Sequence, residues 1–370
     1  MRVKFTDFPS EFKTLKKSLI EKFLLIGKTG DYVLGKELDI FEKKVEKFLN
    51  VKHALGVGNW TEGTIMLLKA LNFKKTDEII TVSNSFIATC GAIAYYGSKP
   101  ILADIDDDLN IDINSIKKKI TKNTRAIMPV HLSGIPSDLK KIKKICKENN
   151  LLLIEDAAHA FGAKYDKLFL GAIGDVGVFS LHPRKTFHVF GDGGLIVTNN
   201  TKLYKKLKLL RNHGLKNRDE AIIWGTNSRL DNLQAGFGNI MLKKIKSWNI
   251  KHYKIAKFYE KSLSKFVKTP KFDKTKSIPS FHQYIIRTKY RNELKEFLKK
   301  KKIDTAIHYP KPIHLQKAFI KNFGKINLPK TELSSKEILS LPIYNSLSQK
   351  KLNYIVDSIE KFFKHKKNEK

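Results

Sequence analysis

Lys185 lies in the stretch Phe179-Ser-Leu-His-Pro-Arg-Lys-Thr-Phe-His-Val-Phe-Gly-Asp-Gly-Gly194, a short way downstream of Ile154-Glu-Asp-Ala-Ala-His159. An amine, a carboxylate behind an apolar run and a hydroxyl are what a pyridoxal phosphate site needs. The aldehyde needs a lysine to hold it as a Schiff base, the pyridine nitrogen needs an anion to stay protonated, and the phosphate needs hydroxyls and free backbone N–H groups. Lys185, Asp156 and Ser180 can supply these three. A lysine alone says little in so lysine-rich a chain, where most are solvated surface charges. Asp156, at the end of the apolar run Leu151–Ile154, is either a ligand group or a helix N-cap, and on this segment alone a cap is the commoner role.

These residues need a scaffold that gathers them. Apolar strand candidates at Ala54–Val57, Glu78–Val82, Pro100–Ala103, Arg125–Val130, Leu151–Ile154, Val176–Ser180 and Leu195–Thr198 alternate with helical patterns near 62–72, 86–96, 112–119 and 137–149. That alternation predicts an α/β fold, a mostly parallel sheet with helices on both faces, and open sheets of this kind carry their chemistry at strand ends. Helical segments follow at Leu203–Arg211, Arg229–Lys246 and Asn249–Phe266. Then come a strand-like run at Gln283–Arg287, a helix at Arg291–Lys300, a strand at Thr305–His308 and a closing helix from Gln349 to Phe363. We expect a large cofactor-binding domain over residues 1–245, a small C-terminal domain over 246–370, and a frayed tail from Lys364.

The motifs in order resemble those of the sugar-nucleotide aminotransferases of the DegT/DnrJ/StrS type. The resemblance rests on Tyr32-Val-Leu-Gly35 with Glu37, Val57-Gly-Asn-Trp-Thr-Glu62, Thr81–Thr89, Pro129–Gly134, Arg211-Asn-His-Gly214, Gly225–Gln234 and Ile307-His-Tyr-Pro310, together with the lysine stretch. It spans nearly the whole chain. It implies the fold type I pyridoxal-phosphate transferase architecture, with a small α+β C-terminal domain, and pyridoxal 5'-phosphate as cofactor. The implied reaction moves an amino group from an amino acid, glutamate in our reading, to a nucleotide-linked keto-deoxysugar.

The resemblance also implies roles. Lys185, Asp156 and His159 would be catalytic, with His159 pointing at the cofactor's 3-oxygen, where many relatives have glutamine. Thr61, Glu62 and Ser180 would bind phosphate, with Asn227 reaching in from a neighbouring subunit of a homodimer with composite sites. Phe86 would stack on the pyridine face, although an aromatic at a helix start is more often core. His308, Tyr309 and Arg229 would face the substrate, although an arginine there is often part of a structural ion pair. Trp60 departs from the family, which usually has glycine at that place. The turn Gly191-Asp-Gly-Gly194 resembles that of members aminating the 3-position, which points to a 3-keto-6-deoxysugar acceptor.

Two other functions compete. Histidine at position 159 also occurs in family members that dehydrate the sugar, but those generally replace the lysine by histidine. The excess of 71 Lys+Arg over 36 Asp+Glu, a net charge of +35, raises nucleic-acid binding by a regulator. The lysines are spread along helical faces such as Leu139–Lys147, and no zinc-finger, basic-zipper or RNA-recognition motif is present, so we expect no nucleic-acid partner. The apolar runs are short and no signal peptide is read, so a cytoplasmic enzyme without a membrane partner is expected. Cys90 and Cys146 lack metal or disulfide spacing.

Overall fold

Short β-branched runs with apolar residues at consecutive positions have no polar face, so they are stable only in a sheet covered on both sides. The computed structural model, which describes residues 1–368, contains such a sheet. In chain order its strands are β1 (His53–Val57), β2 (Glu78–Val82), β3 (Lys99–Ala103), β4 (Thr124–Ile127) and β5 (Leu152–Asp156). After the small hairpin β6 (Lys164–Tyr165) and β7 (Leu168–Phe169) come β8 (Val176–Ser180) and β9 (Gly194–Thr198). The sheet order is β1-β9-β8-β5-β4-β2-β3. Ile80, Ile127, Leu153, Phe179 and Val197 pack into one core, and Ile79, Ala126, Ile154, Val178 and Ile196 into another on the opposite face.

Only β9 runs against its neighbours, so the sheet is mostly parallel as expected. The C-terminal ends of β1, β2, β5 and β8 therefore share an edge with the start of β9. There Gly194 pairs with both Ser180 and Val57. A Cβ on Gly194 would come within 2.7 Å of the Asn59 carbonyl carbon, so glycine lets the turn after β1 close against the lysine loop.

Two helices not expected from the sequence precede the sheet, α1 (Phe8–Thr29) and α2 (Lys36–Leu49). Their buried residues recur with helical spacing (Leu15, Leu19, Ile26; Leu38, Phe41, Val45, Leu49), and left-handed Gly30 and Asn50 end them. The expected helices over the sheet appear as α3 (Trp60–Ala70), α4 (Ala88–Tyr96), α5 (Ile113–Lys119), α6 (Leu139–Glu148) and α7 (Thr201–Leu210). The single helix expected over Arg229–Lys246 is instead α8 (Asn232–Leu242), broken at Lys243–Lys244 before α9 (Ile245–Leu263).

Beyond α9, β10 (Ser277–Ile278) pairs with β6, and β11 (Tyr284–Arg287) leads into α10 (Arg291–Lys300). The strand expected at Thr305–His308 is a single bridge, Ala306 with Ser340, because the chain turns away at once toward the sheet edge. Then follow α11 (Lys317–Phe323), α12 (Pro329–Glu337), β12 (Ile338–Leu341), which pairs with β11, and α13 (Gln349–Asn368). The tail expected to fray from Lys364 continues α13 as helix to Asn368, and its last two residues lie outside the described ones. A separate core gathers Tyr259, Tyr284, Leu294, Leu339, Ile355 and Ile359, and Val3 joins it from the N-terminus.

Behind the strand end that carries Asp156, Glu155 and His131 are fully buried and 3.0 Å apart. His131 Nδ1 accepts from the Ser137 N–H, so its Nε2–H donates to Glu155. The Glu155 carboxylate also accepts the N–H groups of Gly171 (2.7 Å), Ile173 (2.8 Å) and Gly174 (2.6 Å). A buried carboxylate with this many donors ties three segments together, and its removal strands each donor. Glu155→Ala should cost about 3–5 kcal/mol of stability in urea unfolding, and a loss below about 1 kcal/mol would refute this anchoring role.

Candidate active site

Strand alternation that turns Glu155 inward turns Asp156 the other way, into a cavity of about 550 Å³ along the C-terminal edge of the sheet. Lys185, Asp156, His159, Ser180, Thr61, Phe86, His308 and Tyr309 all line it. Glu62, Asn227 and Arg229 do not. The Glu62 side chain is exposed and its N–H is taken by Asn59 Oδ1. Asn227 is exposed and bridges Asn212, whose Oδ1 accepts from Arg229 at 3.0 Å.

Asp156 is held in one orientation. The Thr89 hydroxyl donates to Oδ2 at 2.9 Å, and the Ala158 N–H to Oδ1 at 3.2 Å. Burial raises its pKa, while these two donors and the positive charge of Lys185 act in the opposite direction. Lys185 feels the reciprocal effects: burial pushes its amine down to about 8, and Asp156 works to raise it. A lysine in this range is available as a neutral amine far closer to neutrality than a surface lysine.

The cavity's other walls are equally specific. Asn59 caps α3, and the N–H groups of Trp60 and Thr61 have no partner among the described residues. The first turn of the helix thus offers free donors and its positive dipole end beside the Thr61 and Ser180 hydroxyls, the arrangement an anion requires. Trp60, the departure from the family pattern, is buried with its indole Nε1 unpartnered. Phe86 and Tyr309 stand with ring centres 5.9 Å apart.

Histidines complete the lining. His159 Nδ1 accepts from the Ser133 N–H at 3.2 Å, so Nε2 carries the ring's proton. Burial, with Lys185 adding, drives His159 and His282 well below the usual histidine pKa and His308 to about 4, so all three are neutral. His282 stands 4.5 Å from His159, ring centre to ring centre, and His282 and Gln283 both line the cavity. These two, and Thr89 as the partner of Asp156, were not singled out from the sequence. The available signal was a polar pair heading the apolar run Tyr284–Arg287. Asp192, in the turn after the lysine, also lines the cavity. The Ile313 N–H donates to the Ser83 carbonyl, and Ser83 Oγ contacts His314 Nδ1 at 2.6 Å, fastening the end of β2 to the segment after Tyr309.

The opposed effects on Lys185 can be measured on the cofactor-free chain. Competitive acylation followed by peptide mass analysis should show Lys185 titrating near pH 8, and Asp156→Asn should lower it further by removing the charge that favours the ammonium form. An unchanged or raised value in the variant would contradict the pairing.

Comparison with known proteins places this geometry in context. A model of the DegT/DnrJ/EryC1/StrS aminotransferase family matches residues 13–360. The chain is 35% identical to the pleiotropic regulatory protein of Geobacillus stearothermophilus, covering 99% of this chain and 100% of that one. It is 34% identical to the dTDP-3-amino-3,6-dideoxy-alpha-D-galactopyranose transaminase of Aneurinibacillus thermoaerophilus, covering 97% and 99%. Its fold is similar to the crystal structure of S. venezuelae DesV in complex with a ketimine intermediate, with a TM-score of 0.94, 32% identity and 98% of each chain covered. With its lysine, buried aspartate and anion-ready helix start gathered on one sheet edge, the chain belongs to the DegT/DnrJ/EryC1/StrS aminotransferase family.

Proposed function

We propose that the protein is a pyridoxal phosphate-dependent aminotransferase acting on a nucleotide-linked keto-deoxysugar, with an amino acid, glutamate in our reading, as donor. The observation that carries this is the gathering of Lys185, Asp156 and the free N-terminus of α3 around one cavity. The residues fit the cofactor: a buried, oriented carboxylate for a ring nitrogen, unpartnered N–H groups with two hydroxyls for a phosphate, and a depressed lysine for covalent attachment. When bound, the cofactor supplies an electron sink for charge developing at the donor's α-carbon.

The chain's own groups do the rest. Asp156, fixed by Thr89 and Ala158, would hold the ring nitrogen protonated. Thr61, Ser180 and the first N–H groups of α3 hold the phosphate. Glu62, beside this turn, contributes through its place in the turn, since its own donor is already used. Phe86 would pack on the cofactor's ring, and His159, with its proton on Nε2, would donate to an oxygen of that ring. Lys185 would hold the cofactor covalently, and its Nζ is the group placed to take and return the proton of the donor α-carbon. His308 and Tyr309 orient the sugar from the smaller domain, residues 246–370, against the larger, residues 1–245.

Asn227, exposed, and Arg229, half-buried, lie outside this chain's cavity, in keeping with service to the site of a second copy in a homodimer. Asp192 in the cavity wall and the 3-amino product named for the Aneurinibacillus relative support the 3-position of the sugar as acceptor. Lys185 favours transamination over dehydration. Among the described residues no helix is long and apolar enough to cross a membrane.

Three measurements test this reading. Lys185→Ala should leave the fold intact and abolish both the visible absorbance of the loaded protein and turnover of glutamate with a nucleotide keto-sugar, so wild-type turnover in that variant would end it. Mixing inactive Lys185→Ala and Asn227→Ala chains should restore partial activity through hybrid dimers, and no rescue despite demonstrated subunit exchange would assign each site to one chain. NMR of the product should place nitrogen on the 3-carbon, and nitrogen on the 4-carbon would remove the regiochemical assignment alone. Salt-sensitive retention on nucleic acid without visible absorbance would instead favour a regulator.

A further inference from the structure

The charged groups of the main cavity can be assigned one by one. Asp156 is held by Thr89 and Ala158 for the cofactor ring, and Lys185 is the covalent anchor. His159, His282 and His308 are neutral, and burial lowers His182 as well. Two charges on the cavity wall are left over, Arg184 and Asp192, both exposed. No ion pair joins them, and neither side chain has a hydrogen bond among the described residues.

A free arginine is unusual in this chain. Arg2, Arg125, Arg211, Arg229, Arg287 and Arg291 each donate to a side-chain or backbone acceptor. Among the described residues Arg184 and Arg218 do not, and Arg218 is absent from the cavity wall. A guanidinium offers a planar fork of N–H donors that matches the oxygens of a carboxylate or phosphate. Left unpaired at the mouth of a cavity, it is the uncommitted cation there for an anionic ligand.

The direction of the guanidinium follows from the groups its charge reaches. It acts on His308 and on His182, whereas the balance at Lys185 is set by burial and Asp156. Arg184 therefore stands on the His308 side of the mouth, away from the lysine amine. An anion bound there lies several bonds from the carbon that reacts at Lys185. This excludes the donor's α-carboxylate, which is attached to that carbon. The cofactor's phosphate is already served by the start of α3, Thr61 and Ser180. A nucleotide-linked sugar fits instead, because its diphosphate hangs from the anomeric carbon, removed from the keto group, and His308 is on the sugar's side.

We infer that Arg184 is the residue that binds the diphosphate of the nucleotide-linked sugar. It selects the acceptor by the charge between sugar and nucleoside and takes no part in holding the amino-acid donor. The inference rests on the reading of the acceptor as a nucleotide sugar.

The test is calorimetric binding of dTDP, UDP and GDP to the full-length, cofactor-loaded protein and to its Arg184→Ala and Arg184→Lys variants. The wild type should bind at least one of the three. Arg184→Ala should bind it about 10- to 100-fold more weakly, and with a shallower dependence on salt. Arg184→Lys keeps the charge without the fork and should fall between. In turnover, the KM of the nucleotide keto-sugar should rise with that loss in Arg184→Ala, while the KM of glutamate holds. A wild type that binds none of the three, undiminished nucleotide binding by Arg184→Ala, or a glutamate KM that rises as far as the sugar's would each overturn the proposal. Nucleotide binding is read without turnover, so a wild type that binds a nucleotide through Arg184 yet transfers no amino group defeats the aminotransferase reading alone.

Discussion

The site depends on one electrostatic constraint: an amine and a carboxylate are both taken out of water at the end of a sheet. Burial acts against the charged form of each, and each charge partly restores the other. The balance leaves Lys185 poised near pH 8 and Asp156 fixed by two donors, conditions under which one group can gain and lose protons while the other stays in place. Buried charges of this kind persist only where the surrounding frame is rigid enough to prevent their escape to solvent.

The frame is built accordingly. Strand alternation puts Glu155 on the far side from Asp156, where three backbone N–H groups and His131 anchor it. The reversed strand β9 brings the lysine loop back over β1, and Gly194 lets the turn at Asn59 approach closely enough for the α3 N-terminus to face the same cavity. The Ser83–His314 contact ties the end of β2 to the chain after Tyr309.

Much of this was legible in the sequence, for physical reasons. The apolar runs of the central strands leave few alternatives to a covered α/β sheet; Asp156 and Ser180 stand at strand ends and Lys185 on the loop beyond, but the resemblance was needed to set Asp156 apart from a helix cap and Lys185 from a surface lysine. The order of the motifs carried Thr61, Phe86, His159, His308 and Tyr309 to positions that the cavity brings together. What was not legible depends on tertiary contact. The Thr89–Asp156 bond and the approach of His282 to His159 join residues far apart in the chain, and no local spacing encodes them. The α1 and α2 patterns lie in the sequence as helical spacing of their apolar residues. The run Arg229–Lys246 has no strong breaker to mark where α8 stops, and the Thr305–His308 segment has strand composition but finds only one bridging partner.

The central claim is that Lys185 is the covalent anchor of a pyridoxal phosphate site. Borohydride reduction of the protein loaded with the cofactor, followed by peptide mass spectrometry, tests it most directly. The account predicts the reduced cofactor on the peptide containing Lys185, in near-stoichiometric yield and absent when Lys185 is alanine. Modification spread over surface lysines, with the Lys185 peptide unmodified, would contradict it.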